Sequence, residues 1–279
     1  MVNNIQSYTT LNNGVNMPYF GLGTYKMENE QETVEAVKKA LQHGYRLIDT
    51  ASFYDNEEEV GKGIAESGVN REEIFVTTKV WNSEQGYDET LQACERSLKK
   101  LGLDTIDLYL IHWPVPGKYK ETWKALEKLY SDGVVKAIGV CNFKVSHLED
   151  LMADSDVVPA VNQVEYHPFL QQPDLHDFCE KHNIQLEAWA PLMRGKVFDD
   201  PTIVSLAEKY SKTPAQITLR FEVQNGVVTI PKSVREKRIV ENADIFDFQL
   251  TNEEMEQMRA TNKNDRMGYD PDAFPYESL

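Results

Sequence analysis

Cysteine is scarce in this 279-residue chain, long apolar runs are missing, and basic residues are outnumbered by acidic ones. The three cysteines, Cys94, Cys141 and Cys179, lie far apart and form no CxxC pair. Their odd number excludes a regular disulfide framework and points to reduced thiols, with Cys94 and Cys179 as core residues. No stretch approaches the roughly 18 apolar residues of a membrane span. The polar opening, residues 1–6, lacks the charged-then-apolar layout of a secretory signal, so a soluble, cytoplasmic protein is expected. With 29 Lys and Arg against 45 Asp and Glu, the net charge of -16 opposes nucleic acid and anionic lipid, and neither is expected as a partner. The HExxH zinc helix and the GxSxG nucleophile elbow are both absent, and the six histidines show no ligand spacing. Metal-centred and acyl-enzyme chemistry therefore lack a basis.

What is present is enough apolar material for a sizeable core, 41% of the residues, in a regular alternation of short and long segments. Eight runs read as strands: Phe20 to Gly23, Arg46 to Asp49, Ile74 to Lys79, Ile106 to Ile111, Val134 to Cys141, Ala160 to Glu165, Gln185 to Ala190 and Val227 to Ile230. Between them run amphipathic helical segments, such as the stripe Leu91, Cys94, Leu98, Leu101 and the stripe Ile203, Leu206, Ala207, Tyr210. Thr213 to Gln216 and Thr251 to Glu254 are capping boxes, the first with Pro214 at the first helical position. Strand then helix, eight times over, predicts a (β/α)8 TIM barrel. Asn13-Gly14 between two short extended runs predicts an N-terminal β-hairpin, and the last capping box an extra C-terminal helix. No Pro/Gly/Ser-rich stretch divides the chain, so residues 1–279 read as a single domain. A closed barrel leaves no sheet edge, which makes a monomer the expectation.

Barrel enzymes build their sites from the C-terminal ends of the strands and the loops that follow. Asp49 ends the second strand, Lys79 ends the third, His112 follows the fourth, and Tyr54 lies five residues past Asp49. Singly, each has an ordinary explanation: Asp caps a turn, Lys snorkels, His satisfies a carbonyl, Tyr packs. Together they form a proton-donor set. Hydride addition to a carbonyl leaves an alkoxide that must be protonated, and a free phenol with a pKa of about 10 is a poor acid near neutrality. An adjacent ammonium is expected to lower that pKa, and a carboxylate beside the ammonium to keep it charged. Lys79 and Asp49 fit those roles, Tyr54 that of the donor, and a neutral His112 can hydrogen-bond the substrate oxygen.

A second feature is a basic cluster in an acidic chain: Lys232, Arg235, Lys237 and Arg238 fall within seven residues. In isolation such a run reads as a solvated helix face. Here it follows the eighth strand and opens a helix, a position suited to binding phosphate.

These residues resemble the aldo-keto reductases. Gly21 to Thr24, Gly44 to Ala51, Tyr54, Asn56-Glu57, Gly61, Lys79-Val80-Trp81 and Asp107 to Pro114 look like signatures of that family, and so do Ile138-Gly139-Val140, Asn142-Phe143, Asn162-Gln163, His167-Pro168 and Ile230 to Ser233. The resemblance is closest to the bacterial branch that reduces glyoxal, methylglyoxal and diketo sugars. It implies the tetrad Asp49, Tyr54, Lys79 and His112, with NADPH as cofactor and a small carbonyl compound as substrate. It also implies that Asn142 and Gln163 hold the nicotinamide carboxamide, that Trp189 stacks on its ring, and that Thr24 and Asp49 lie beside its ribose, with Leu192 also in contact with the cofactor. Lys232, Ser233 and Arg238 would take the adenosine 2'-phosphate, with Glu241 and Asn242 near the adenine. Tyr25, Trp81, His112 and Trp113 would line the substrate mouth. Two positions depart from the pattern: Cys141 stands where many members have Ser, expected to weaken one carboxamide contact, and Ala190 replaces a Ser that could touch phosphate.

Other readings are open at this point. Gly21-Leu22-Gly23 and Gly61-Lys62-Gly63 begin like a dinucleotide fingerprint, but Lys26 and Glu66 occupy the third glycine position. Glu165 and Glu187 near the ends of two strands could pair as in a glycosidase. An NADPH-binding sensor with little turnover would share the tetrad. The polar, Pro-bearing tail after Thr261 predicts a rather open pocket.

Overall fold

The structure is a computed structural model and describes residues 2–276. Two antiparallel strands, β1 (Tyr8–Thr10) and β2 (Asn16–Pro18), form the N-terminal hairpin, with Tyr8 opposite Pro18. Its turn is longer than a two-residue Asn-Gly turn. Leu11 N–H donates to the Val15 carbonyl, and only Gly14 has a positive φ, +86°. Gly14 alone therefore supplies the left-handed residue of a three-residue loop.

Eight parallel strands follow: β3 (Gly21–Gly23), β4 (Leu47–Asp49), β5 (Phe75–Val80), β6 (Ile106–Ile111), β7 (Val135–Cys141), β8 (Val161–Glu165), β9 (Gln185–Trp189) and β10 (Val228–Thr229). Each pairs with its neighbour in chain order, and the sheet closes where Thr229 N–H donates to the Tyr19 carbonyl at 3.0 Å and Phe20 bridges Thr229 in parallel. The barrel expected from the alternation is present, and it is closed.

The helices are α1 (Glu30–Gln42), α2 (Glu57–Glu66), α3 (Tyr87–Leu101), α4 (Tyr119–Ser131), α5 (Val145–Met152), α6 (Pro173–Lys181), α7 (Pro201–Tyr210), α8 (Pro214–Gln224), α9 (Glu236–Ala243) and α10 (Asn252–Arg259). The count exceeds one helix per strand at two places. Both α7 and α8 lie between β9 and β10, and α10 follows α9 as the additional C-terminal helix. Thr213 and Thr251 form the capping boxes read from the sequence, each accepting from the backbone N–H three residues on. The helix α8 has almost no exposed side, because α7 and α9 pack on it from outside and β10 lies beneath.

Burial occurs in two shells. The larger one lies between helices and barrel and includes Val37, Ile64, Tyr109, Trp123, Ile217 and Phe221. The smaller one fills the lower barrel: Leu11 and Met17 of the hairpin pack with Leu47, Phe75, Ala137, Val161 and Val228 from the strand starts. Apart from Ala137, each such side chain contributes about 1.5–3 kcal/mol by leaving water. The hairpin thereby plugs one end, so that the C-terminal rim is the end where polar side chains gather. Cys94, Cys141 and Cys179 are all buried and free.

Candidate active site

Three strand ends and one short turn converge at the rim. Asp49 closes β4, Lys79 stands one residue before the end of β5, His112 follows β6, and Tyr54 ends a 3-10 turn, Ser52–Tyr54. Local bonds aim that turn. Ser52 Oγ lies 3.1 Å from the Lys79 carbonyl and 3.0 Å from Glu84 Oε2, and it accepts from Trp81 N–H at 3.2 Å. Asn56 Nδ2 donates to the Thr24 carbonyl at 3.0 Å while its Oδ1 accepts from Thr50 Oγ1 at 2.8 Å, which ties the loop after β3 to that after β4.

Lys79 Nζ is the hub. It donates to Asp49 Oδ1 at 2.8 Å, to the Thr50 carbonyl at 2.9 Å and to the Tyr54 hydroxyl at 3.2 Å. The ammonium is fully buried and Asp49 nearly so. Burial alone would depress the Lys79 pKa, but the carboxylate of Asp49 outweighs it and holds the ammonium charged. Tyr54 shows the opposite balance. Burial raises its phenol above the ordinary value, and the attraction of Lys79 only partly offsets that. The expected lowering of the phenol is therefore not the net result, because tertiary burial was invisible in the sequence. The phenol is held protonated, with the Lys79 ammonium 3.2 Å from its oxygen.

His112 packs edge-on to Tyr54, ring centroids 5.7 Å apart, and to Trp81 at 4.9 Å. Burial, then Lys79, push its pKa well below the usual histidine value, so the ring is neutral, and Nδ1 has no hydrogen-bond partner among the described residues. All four residues of the expected tetrad thus meet in one cluster.

A second group lies beside it. Trp189 Nε1 donates to Asn142 Oδ1 at 2.9 Å, and Asn142 Nδ2 donates to the His112 carbonyl at 3.0 Å and lies 3.2 Å from Cys141 Sγ. Asn142 has φ +64°, a left-handed conformation that Asn tolerates better than most residues. Gln163 Nε2 donates to Asp49 Oδ2 at 2.7 Å and to Glu187 Oε2 at 2.8 Å. Thr24 is less available: its Oγ1 donates to the Asp49 carbonyl at 2.9 Å. Leu192 lies in the loop after β9, packed against the core.

Lys232 and Ser233 follow β10 at the same rim, and Arg238, Glu241 and Asn242 lie in α9. Ser233 Oγ accepts from Arg235 N–H at 3.2 Å. Lys232, Arg235, Lys237 and Arg238 are exposed, and among the described residues none has an ion-pair partner. Four unpaired cations at a helix start in an acidic chain suit a polyanion such as a phosphorylated ribose.

The mouth is aromatic. Tyr25 packs on Tyr54 at 5.0 Å between centroids, and Phe53 lies face to face with Trp81. Trp113 is largely covered by Phe274, centroids 4.2 Å apart. The tail therefore lies against Trp113. Lys144 anchors the tail through Asp270 and Asp272, each at 2.6 Å. Phe53 and Phe274 are not singled out in the sequence, and Glu187 reads there only as half of a glycosidase pair. For Phe53, adjacency to Tyr54 was an available signal. Phe274 offered none, since its partner lies 161 positions away.

The glycosidase reading is set aside by what surrounds its carboxyls. Both Glu165 oxygens are taken: Oε1 by Met267 N–H at 2.6 Å and His167 Nε2 at 2.9 Å, and Oε2 by Gly268 N–H at 2.8 Å. Burial alone would raise this carboxyl, but these bonds hold it below the usual range. Glu187 instead sits with Gln163 and Asp49. Among the described residues no group of three His, Cys, Asp or Glu is placed to hold a metal, and no helix is long and apolar enough to cross a membrane.

An eightfold barrel with ionisable side chains gathered at the C-terminal ends of its strands defines the (β/α)8 class of enzymes. The chain belongs to the aldo/keto reductase family, whose model matches residues 19–263. It is 57% identical to the glyoxal reductase of Bacillus subtilis (strain 168), covering 98% of this chain and 99% of that one. It is 48% identical to a methylglyoxal reductase of Escherichia coli (strain K12), covering 95% and 96%. A crystal structure of a Gox0644 variant in complex with NADPH superposes with a TM-score of 0.92 at 49% identity, covering 96% of this chain and 98% of that one.

Proposed function

We propose that the protein reduces small aldehydes, ketones and dicarbonyls of the glyoxal and methylglyoxal type, or keto sugars, to alcohols with NADPH, and that Tyr54 is the general acid. The observation that carries this reading is the Lys79 ammonium held between Asp49 and the Tyr54 hydroxyl. NADPH supplies the hydride.

The chain's own residues do the rest. His112 is neutral and carries one ring N–H; with Nδ1 buried and unpartnered, that N–H on Nε2 is free to bond the carbonyl oxygen and orient it toward Tyr54. As negative charge develops there, the Tyr54 hydroxyl gives up its proton, and the Lys79 ammonium stabilises the phenolate that remains. Asp49 keeps Lys79 charged throughout. Asn142, Gln163, Cys141, Trp189, Thr24 and Leu192 form the nicotinamide side of the cofactor site, and Lys232, Ser233, Arg238, Glu241 and Asn242 the adenosine side. The unpaired cations after β10 support a phosphate there. Tyr25, Phe53, Trp81 and Trp113 exclude water from the reacting carbon.

The test is the decay of reduced-nicotinamide absorbance with methylglyoxal and glyoxal, wild type beside Tyr54→Phe. A loss of about 10²- to 10⁴-fold in the variant is expected. Retained turnover removes Tyr54 from the mechanism, and tight NADPH binding without consumption across a carbonyl panel replaces the reductase with a cofactor-sensing barrel.

A further inference from the structure

Glu187 is fully buried in the middle of β9, and the proton-transfer scheme makes no use of it. Cys141, Gln163 and Glu187 are register partners across β7, β8 and β9, which lays their side chains in one row inside the barrel. A primary amide has two N–H donors and one carbonyl acceptor. Gln163 spends both donors on carboxyls, one on Asp49 Oδ2 and one on Glu187 Oε2, which leaves its oxygen toward Cys141 Sγ at 3.8 Å. Rotating the amide by half a turn would set that oxygen against two carboxyls, one of them ionised. Burial raises both carboxyls, but only Asp49 has a cation at 2.8 Å to oppose it, whereas Glu187 Oε1 has no partner among the described residues, so the proton belongs on Glu187.

We propose that Glu187 is a positioning residue for the reductase site. Together with Asp49 it locks the orientation of the Gln163 amide, and as a neutral carboxylic acid it leaves Asp49 the single counter-charge to Lys79. The inference rests on the reductase reading for the meaning of that lock.

Burial, and then the charge on Asp49, push the Glu187 carboxyl up to about 8, against the Gln163 bond and the attraction of Lys79. The groups facing it are Asp49 on β4, Lys79 on β5, Cys141 on β7 and Gln163 on β8, while its register partner on β10 is the apolar Val228. Ionisation would bring a second anion beside Asp49 and oppose formation of the phenolate on Tyr54.

The experiment compares wild type, Glu187→Gln and Glu187→Leu by three readouts: the pH dependence of kcat and KM, NADPH affinity from quenching of intrinsic fluorescence, and the infrared band of protonated carboxyls as pH is raised. Wild type should lose activity on an alkaline limb near pH 8, and a protonated-carboxyl band should disappear over the same range. Glu187→Gln keeps the acceptor and cannot ionise, so it should retain neutral-pH turnover and NADPH affinity and lack both the limb and the band component lost near pH 8, leaving the band of buried Glu222. Glu187→Leu removes the acceptor and should weaken NADPH binding about tenfold, the usual effect of one lost hydrogen bond. An unchanged limb and band in Glu187→Gln overturns the inference, as does wild-type affinity in Glu187→Leu. If the Leu variant does not fold, the isosteric Gln variant decides alone. If wild type proves inactive, the reductase reading fails, and the infrared titration and the affinity ratio still decide Glu187.

Discussion

Gly268 lies against the edge of Trp189, close enough that a β-carbon on Gly268 would fall 2.5 Å from Trp189 Cη2 and 3.1 Å from Glu165 Oε2. Gly268 thus limits where the Trp189 indole, one wall of the proposed cofactor site, can lie. Gly268→Ala should push the tail off Glu165 or turn Trp189, at a cost of about 1–3 kcal/mol typical of overpacking. The check is thermal melting together with tryptophan emission. Unchanged emission and melting temperature would mean that the tail gives way without touching Trp189.

The exposed cations after β10 lead to a prediction about cofactor choice. Neutralising Lys232 and Arg238 together should lower NADPH affinity by about 10- to 100-fold, the range for lost hydrogen bonds to a charged group, and leave NADH almost unaffected. Titrating both nucleotides into the double variant measures the ratio. A preserved preference would move phosphate recognition elsewhere.

Ala190 holds φ +52°, a left-handed conformation costly for a residue with a β-carbon. Ala190→Gly should relieve about 1 kcal/mol, less the extra entropy of glycine in the unfolded chain, and raise the melting temperature by roughly 2 °C. A fall in melting temperature would show that the methyl group packs well enough to compensate.

Glu222 is buried on α8, where it accepts from Thr229 Oγ1 at 2.7 Å, and burial raises its carboxyl well above the ordinary value. The folded state therefore holds this proton more tightly than the unfolded state. The associated stability is complete below the unfolded pKa and is lost as pH rises through the raised folded one. Glu222→Gln keeps an acceptor for Thr229 and never ionises, so its advantage over wild type in urea unfolding should grow from acid to alkaline pH. A constant difference across that range would show that Glu222 does not titrate on unfolding.

Much of this architecture was legible in the sequence because its signals are local. The strand Ile106–Ile111 is apolar but for Asp107 and is bounded by Thr105 and His112, and the barrel strands end within a residue or so of where such runs end. Asp49, Lys79 and His112 could be assigned to one rim because strand ends in a barrel share a side, and Tyr54 because it is only five residues beyond Asp49. What escaped is set by distance along the chain. Phe274 on Trp113, and Met267 and Gly268 on Glu165, are contacts between segments more than 100 residues apart, with no periodicity to announce them. The raised phenol of Tyr54 and the neutral acid at Glu187 follow from burial, which no single segment encodes.

The hairpin gives the barrel a floor as well as a fold. With Leu11 and Met17 sealing the strand starts, the interior is a cup rather than a tube, and whatever enters by the rim must leave by it. On the proposed reading, nucleotide and carbonyl compound would share that single opening.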